Sequence, residues 1–331
     1  MLGIATLSWR WRYKLALCRA VWRWRAAGFR TEGGSVAQLC EGLPSRVMHE
    51  LIEPLCVSAL NTPVDRACAQ VFLRVLHDAL LTPGPDVPSH LLLPRVDLSR
   101  LFVQSAAERL ARDGGVLHLG QRADVQQLGH AWQVQGEPYE AVVLATSPTD
   151  AIKVLSVAAR SATEKITNDI QAWSRITQGL QFESIATVYA YAPGARLTEP
   201  MLALHSSPEH PAQFVFDRGQ LHEQQEGLLA FVVSASQGDA NTLQASVLAQ
   251  ARAQLGLVLQ PVKTVIEKRA TFACTPGLQR PGHRIAPGLL ACGDYTQGPY
   301  PATLEGAVRS GIRVAHAMTL NEHAMSKCAQ V

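Results

Sequence analysis

Several familiar chemical signatures are missing from these 331 residues. No Gly-x-Gly-x-x-Gly turn occurs. The nearest glycine pairs, Gly33-Gly34 and Gly114-Gly115, lack the spacing of a loop that cradles a dinucleotide pyrophosphate. There is no P-loop, no His-Glu-x-x-His helix and no nucleophile elbow in Ser/His/Asp order, which sets aside nucleotide-phosphate, metal-hydrolase and serine-hydrolase readings. The seven cysteines are odd in number and none forms a Cys-x-x-Cys pair. That argues against a disulfide framework or a zinc site and for a reducing compartment, with most thiols acting as small buried hydrophobes. No apolar run reaches transmembrane length, and arginines interrupt the N-terminal stretch too often for a signal-peptide core.

What is present fits a folded protein. Hydrophobic residues make up 47% and charged residues 17%, enough for two packed units with their own cores. The formal charge of +3 hides an uneven distribution. Residues 1–31 hold seven Lys/Arg and no acidic residue, so the remainder is slightly acidic. On a helix, Arg12, Arg19, Arg23 and Arg30 share one face, while Arg10, Lys14 and Arg25 fall on roughly the opposite one. A clean interfacial helix is not expected to split its charge in this way. Trp9, Trp11, Trp22 and Trp24 nevertheless favour an interface, either against protein or at a membrane. No basic stripe with interleaved aromatics lies outside this arm, so no nucleic-acid partner and no metal are expected.

Further along, residues 44–81 read as two helices, with Pro54 interrupting the first. Thr62 is expected to cap the second, with Pro63 at its first position and Asp65 at its third. Val64, Ala67, Cys68, Val71, Phe72, Val75 and Leu76 give it an apolar stripe. Residues 82–94 read as a Pro/Gly-rich loop and 97–112 as a helix. Val116–Gly120 reads as a strand that hairpins with Ala131–Val134, followed by the apolar strand Ala141–Ala145 and a helix capped by Ser147. His118 and His130 read as surface or strand-end residues. From 180 to 275 the pattern is strand-rich, with strands at 185–191, 213–219, 228–234 and 264–272 and a helix over 240–256. Glu267, Lys268 and Arg269 place charges inside one of these strands. Lys268 and Arg269 are the weak catalytic candidates, against a plain solvent-facing role. Asp217-Arg218 reads foremost as a structural ion pair.

The C-terminal segment is the most informative. Leu289-Leu290-Ala291-Cys292-Gly293-Asp294-Tyr295 is an apolar strand running into Gly-Asp, and Tyr300-Pro301-Ala302-Thr303-Leu304-Glu305-Gly306-Ala307-Val308-Arg309-Ser310-Gly311 begins a small-residue helix. A carboxylate at a strand end can accept bonds from sugar-like hydroxyls, and the free N–H groups of a helix start meet electron-rich groups. Pro301 suits a first helical position. An ordinary strand–turn–helix with packing glycines has the same spacing.

The literal string goes further. It closely resembles the C-terminal flavin segment of squalene-associated FAD-dependent desaturases, the hydroxysqualene dehydroxylases of the flavin amine-oxidase superfamily. Collinear stretches resemble the same family: Glu53–Cys56, Ala59–Asp65, Leu93–Leu98, Ile185–Tyr189, Phe214–Gly219 and Glu267–Phe272. The resemblance covers residues from about 35 to about 318.

The resemblance implies a truncated flavin amine-oxidase-like α/β fold: a partial FAD-binding domain plus a mixed-sheet and helical substrate domain. On that basis residues 1–35 are a basic Trp-rich helix and 36–94 the helical part of the substrate domain. Residues 95–150 are an FAD-domain segment, 151–284 the strand-rich substrate domain, 285–320 the C-terminal FAD-binding segment and 321–331 a tail. The cofactor is FAD, held by Ala123 on the adenine side and by Gly293, Asp294, Pro301, Ala302, Thr303, Leu304, Glu305 and Gly306. The N-terminal dinucleotide half is expected to be lacking, whether through a misplaced start codon, a real truncation or gene decay. The implied reaction is reductive removal of the hydroxyl of hydroxysqualene to give squalene, on the route to hopanoids. The alternatives are another isoprenoid-acting flavin desaturase or a non-catalytic remnant that holds no FAD. The expected partner is a hydrophobic isoprenoid, and the expected location is cytoplasmic, with peripheral contact to the inner face of the membrane as a further expectation.

Overall fold

The computed structural model describes residues 9–81, 92–129 and 131–328. Most of the loop expected over 82–94, His130 and the end of the tail lie outside them. The chain forms two compact units, each built from two separated stretches. One comprises residues 1–118 and 182–276, the other 119–181 and 277–331.

The first unit joins a helical cluster to an antiparallel sheet. Five strands run in the order Met201–Ala203, Phe214–Asp217, Leu228–Ser234, Phe182–Tyr191, Gln260–Phe272. Alternation sets the faces. Ala186, Val188 and Ala190 of the interior strand Phe182–Tyr191 are buried with Val215 and Phe231, and Leu243 and Val247 of the helix Ala240–Leu255 cover them. Asp239 caps that helix by accepting from the N–H groups of Asn241 and Thr242. Gln260–Phe272 lies at the sheet edge, where exposed Glu267, Lys268 and Arg269 discourage pairing with another strand.

The helical cluster buries Leu17, Ala20 and Trp24 of Trp11–Ala26 with Val36, Ile52, Cys56, Phe72 and Leu73. Burial pushes the Cys40 and Cys56 thiols up to about 12, so they serve as packing groups. Pro54 acts as expected. It has no N–H to give to the carbonyl four residues back, and the helix passes through a wider π turn at Met48–Ile52 before regular winding resumes at Glu53–Leu60.

Asn61 and Thr62 couple this cluster to the sheet. Asn61 ends its helix in the left-handed conformation, with φ +45°. Its Nδ2 donates to Thr271 Oγ1 at 2.9 Å, and its Oδ1 accepts from the Ala235 N–H at 2.6 Å. Thr62 is not a helix cap. Its hydroxyl donates to the Leu60 carbonyl and accepts from the Cys274 N–H. The chain instead turns over Pro63–Ala67, and the next helix is Ala69–Leu76. A buried backbone donor from the sheet has outcompeted the local capping box. Leu73, outside the expected stripe, is fully buried there.

Two further expectations are corrected. Val116–Gly120 pairs with no strand among the described residues, and Val116, Leu117 and Leu119 are exposed. Ala131–Val134 pairs with Val125–Leu128 through the tight turn at Gly129, where φ is +59°. Asp217 does not pair with Arg218. It is buried and accepts from the N–H groups of Leu197, Gly219 and Gln220 and from Gln220 Nε2, while Arg218 donates to Gln225.

Asn61→Ala removes a left-handed residue and two buried hydrogen bonds together. It should destabilise the protein by about 2–4 kcal/mol, measured by urea unfolding. A loss under about 0.5 kcal/mol would show that the cluster and sheet hold together without it.

Candidate functional site

The second unit carries the Gly293-Asp294 turn. Val142–Leu144 and Leu289–Ala291 are parallel neighbours, in register Leu289↔Val142, Leu290↔Val143, Ala291↔Leu144. Both are apolar because the sheet is covered. The ladder is extended at its end by the Cys292 N–H, which donates to the Leu144 carbonyl at 3.0 Å. Gly293 then leaves the sheet. A Cβ there would lie 2.5 Å from the Tyr295 ring, so no other residue fits without movement.

The turn is tied down from three directions. The Gly293 N–H donates to Ser310 Oγ at 2.8 Å, and Ser310 in turn donates to the Ala307 carbonyl of its own helix. Arg280 donates to the carbonyls of Thr296 and Gly298. Arg313 donates to the Gln297 carbonyl at 2.5 Å. The carbonyls of Thr296, Gln297 and Gly298 therefore have guanidinium donors. Below them, Trp173 donates to the Gly282 carbonyl at 2.8 Å and meets the Tyr295 ring edge-on at 6.3 Å. Tyr295 is 1% exposed, and its hydroxyl is a buried polar atom without a protein partner.

Asp294 is half-buried. Desolvation raises its carboxyl above the ordinary range, against the opposing pull of the Tyr295 N–H, its own N–H and the Arg280 charge. A carboxylate held part-way out of water, with lone pairs to spare, suits a polyhydroxylated ligand better than it suits a folding role.

The helix start differs from expectation. Leu304–Cys328 begins three residues after Pro301, because Ala302 sits at φ +55° and cannot continue a right-handed helix backwards. Thr303 caps it by accepting from the Gly306 N–H at 2.9 Å while donating to the Tyr300 carbonyl. A Cβ on Gly306 would lie 2.0 Å from that carbonyl. Leu304 is exposed, and Glu305 pairs with Arg309 on the helix surface. The Thr303 hydroxyl is thus used by the fold, and the helix start offers backbone N–H groups.

Ala123 is exposed and lines a groove of about 350 Å³ with Val125, Val142, Val143, Leu144 and Thr146. This groove runs along the same strand that supports Cys292. Lys268 and Arg269 belong to the other unit. Lys268 lines a groove of about 700 Å³ there with Glu183, Ser184 and Asp239, and the Arg269 guanidinium lies over the Phe182 ring at 5.7 Å. Ser310, Arg280, Arg313 and Trp173 were not anticipated from sequence, and only folding brings them to the turn.

A parallel strand ending in Gly-Asp, followed by a capped helix whose first turn is open, fits the ribityl and ring side of a flavin. The pyrophosphate side has no glycine cradle in this sequence. The fold and the turn define the class of FAD-dependent oxidoreductases.

The sequence model of the flavin-containing amine oxidoreductases matches residues 103–319, and the chain belongs to that family. It is 29% identical over 291 residues to the hydroxysqualene dehydroxylase of Rhodopseudomonas palustris, covering 80% of this chain and 61% of that one. Against the hydroxysqualene dehydroxylase of Sinorhizobium fredii it is 24% identical over 277 residues, with the same two coverages of 80% and 61%. The chain therefore spans about three fifths of the length of these relatives. Among solved structures, an oxidoreductase from Methanosarcina mazei superposes with a TM-score of 0.69 at 13% identity, over 95% of this chain and 74% of that one. A redesigned putrescine oxidase gives 0.63 at 16% identity, over 96% and 77%. These structures share the fold.

Because the folded state raises the Asp294 carboxyl above its unfolded value, this group favours folding most when protonated. Its contribution is lost as pH rises from the unfolded range through the raised folded one. Asp294→Asn should therefore have a higher thermal midpoint than the wild type at neutral pH without flavin, the gap closing in acid. A lower midpoint for the variant at neutral pH would make Asp294 a folding residue.

Proposed function

We propose that the protein is a hydroxysqualene dehydroxylase, which removes an allylic hydroxyl from hydroxysqualene reductively and leaves squalene and water. The observation that supports this most is the collinear similarity, over 80% of the chain, to two enzymes of that name, combined with the Gly293-Asp294 turn. Hopanoid synthesis is the pathway context that this reading implies.

Bound FAD supplies the two-electron chemistry. The residues of this chain have simpler tasks. Asp294 accepts from the ribityl hydroxyls. The N–H groups at the start of Leu304–Cys328 would meet electron-rich groups of the flavin, and Gly306 lets the Tyr300 carbonyl pack against that helix start. Ala123 offers backbone to the adenine end. The departing hydroxyl must take up a proton as it leaves. Lys268 and Arg269 are the cationic candidates near a groove of the first unit.

A second reading rests on the absent glycine cradle: the 331-residue chain by itself holds FAD weakly. Purified, it should carry well under one flavin per molecule by absorbance. A stoichiometric yellow protein would overturn this.

With excess FAD and a reductant, hydroxysqualene should be converted to squalene, followed by gas chromatography. Dehydrogenation of phytoene, with hydroxysqualene untouched, would move the reading to a carotenoid-type desaturase. Asp294→Ala should weaken FAD binding by about tenfold or more through lost charge-assisted hydrogen bonds. Lys268→Met should lower turnover by about a hundredfold or more if Lys268 assists hydroxyl departure, the usual range for acid catalysis. Unchanged turnover would remove it from the site.

A further inference from the structure

The helix Trp11–Ala26 has two apolar faces, and only one is used by the fold. Tyr13, Leu17, Ala20 and Trp24 point into the helical cluster. At about 100° per residue, Trp11, Leu15, Cys18 and Trp22 lie on the opposite side of the cylinder. All four are exposed, Trp11 by 74% and Trp22 by 70%. The stripe is bordered by Arg12, Arg19 and Arg23 along one flank and by Lys14 and Arg25 along the other. What looked in the sequence like charge divided between opposing faces is charge bracketing a tryptophan stripe.

We propose that this face lies in the plane of an anionic lipid surface, with Trp11, Leu15 and Trp22 in the interfacial layer and the two cationic flanks among the headgroups. Tryptophan rings with an apolar body and a polar N–H are suited to that layer. The flanking cations complement anionic headgroups on both sides of the stripe. Residues 9–31 hold no acidic side chain, so a second copy docking on the same face would set cation against cation. No described helix is long and apolar enough to cross a membrane, so the contact lies in the surface plane. This inference stands on the helix alone and does not require the dehydroxylase reading.

The test is flotation of the full chain with vesicles of phosphatidylcholine, with and without phosphatidylserine. The protein should float with the anionic vesicles and be released by salt. Trp11→Ser/Trp22→Ser should weaken partitioning by about tenfold. Arg19→Gln/Arg25→Gln should weaken it by about thirtyfold for anionic vesicles only. All four positions are exposed, so the circular dichroism spectra and thermal midpoints should be unchanged. Brominated lipid should quench wild-type tryptophan fluorescence, and quench the double tryptophan variant much less. Absence of flotation at low salt overturns the proposal. So does undiminished flotation of the tryptophan variant. A wild-type dimer in size-exclusion chromatography that becomes a monomer in that variant would assign the face to a second copy and equally overturn it. Tight binding to an oligonucleotide without vesicle binding would overturn it in favour of nucleic acid.

Discussion

The short parallel ladder between Val142–Leu144 and Leu289–Ala291 is the constraint on which the candidate site depends. It joins strands far apart in sequence, and its last bond, from the Cys292 N–H to the Leu144 carbonyl, fixes where the chain leaves the sheet. Gly293 must then turn against the Tyr295 ring, which sets the position of the Asp294 carboxylate. Ser310 holds the same turn from the following helix. If Leu289–Ala291 slipped by one residue against Val142–Leu144, its side chains would change faces of the sheet. The site's accuracy is therefore inherited from an apolar ladder together with the polar contacts that tie the turn to the helix.

The polar groups around the turn carry a cost. A half-buried carboxylate, a buried tyrosine hydroxyl without a protein partner and an alanine in the left-handed region lie within nine residues of one another. Each is unfavourable for folding, and such features concentrate where a protein binds something. Arg280 and Arg313 offset part of this by giving the loop carbonyls charged donors. The rest of the second unit is ordinary packing: Trp132, fully buried, donates to the Pro287 carbonyl, tying the hairpin sheet to the strand that carries the site.

Local pattern made much of this legible. Leu228–Ser234 and Ala240–Leu255 follow their sequence periodicities nearly to the residue, because strand alternation and an Asp cap are local signals. The Gly293-Asp294 turn was legible as a literal string. What escaped was settled by distant partners. Thr62 looks like a cap until a donor from Cys274 claims its hydroxyl, and Val116–Gly120 looks like a strand although nothing pairs with it. Arg280 gave no signal at all, since an arginine in a loop is common, and Ser310 lay in the resembling string with no role of its own. The N-terminal helix shows the converse. Its charges were visible, but their meaning depended on knowing which face the protein buries.

Both units interleave along the chain, which has a consequence for how the protein is made. A ribosome delivers Phe182–Tyr191, an interior strand of the first unit's sheet, before either of its neighbours, and Val142–Leu144 long before Leu289–Ala291. Neither unit can close until most of the polypeptide has emerged, and non-local closure of this kind is slow. Nascent chains will thus spend their synthesis with apolar strand edges uncovered. Premature termination anywhere before the last strand leaves the second unit without its parallel pair.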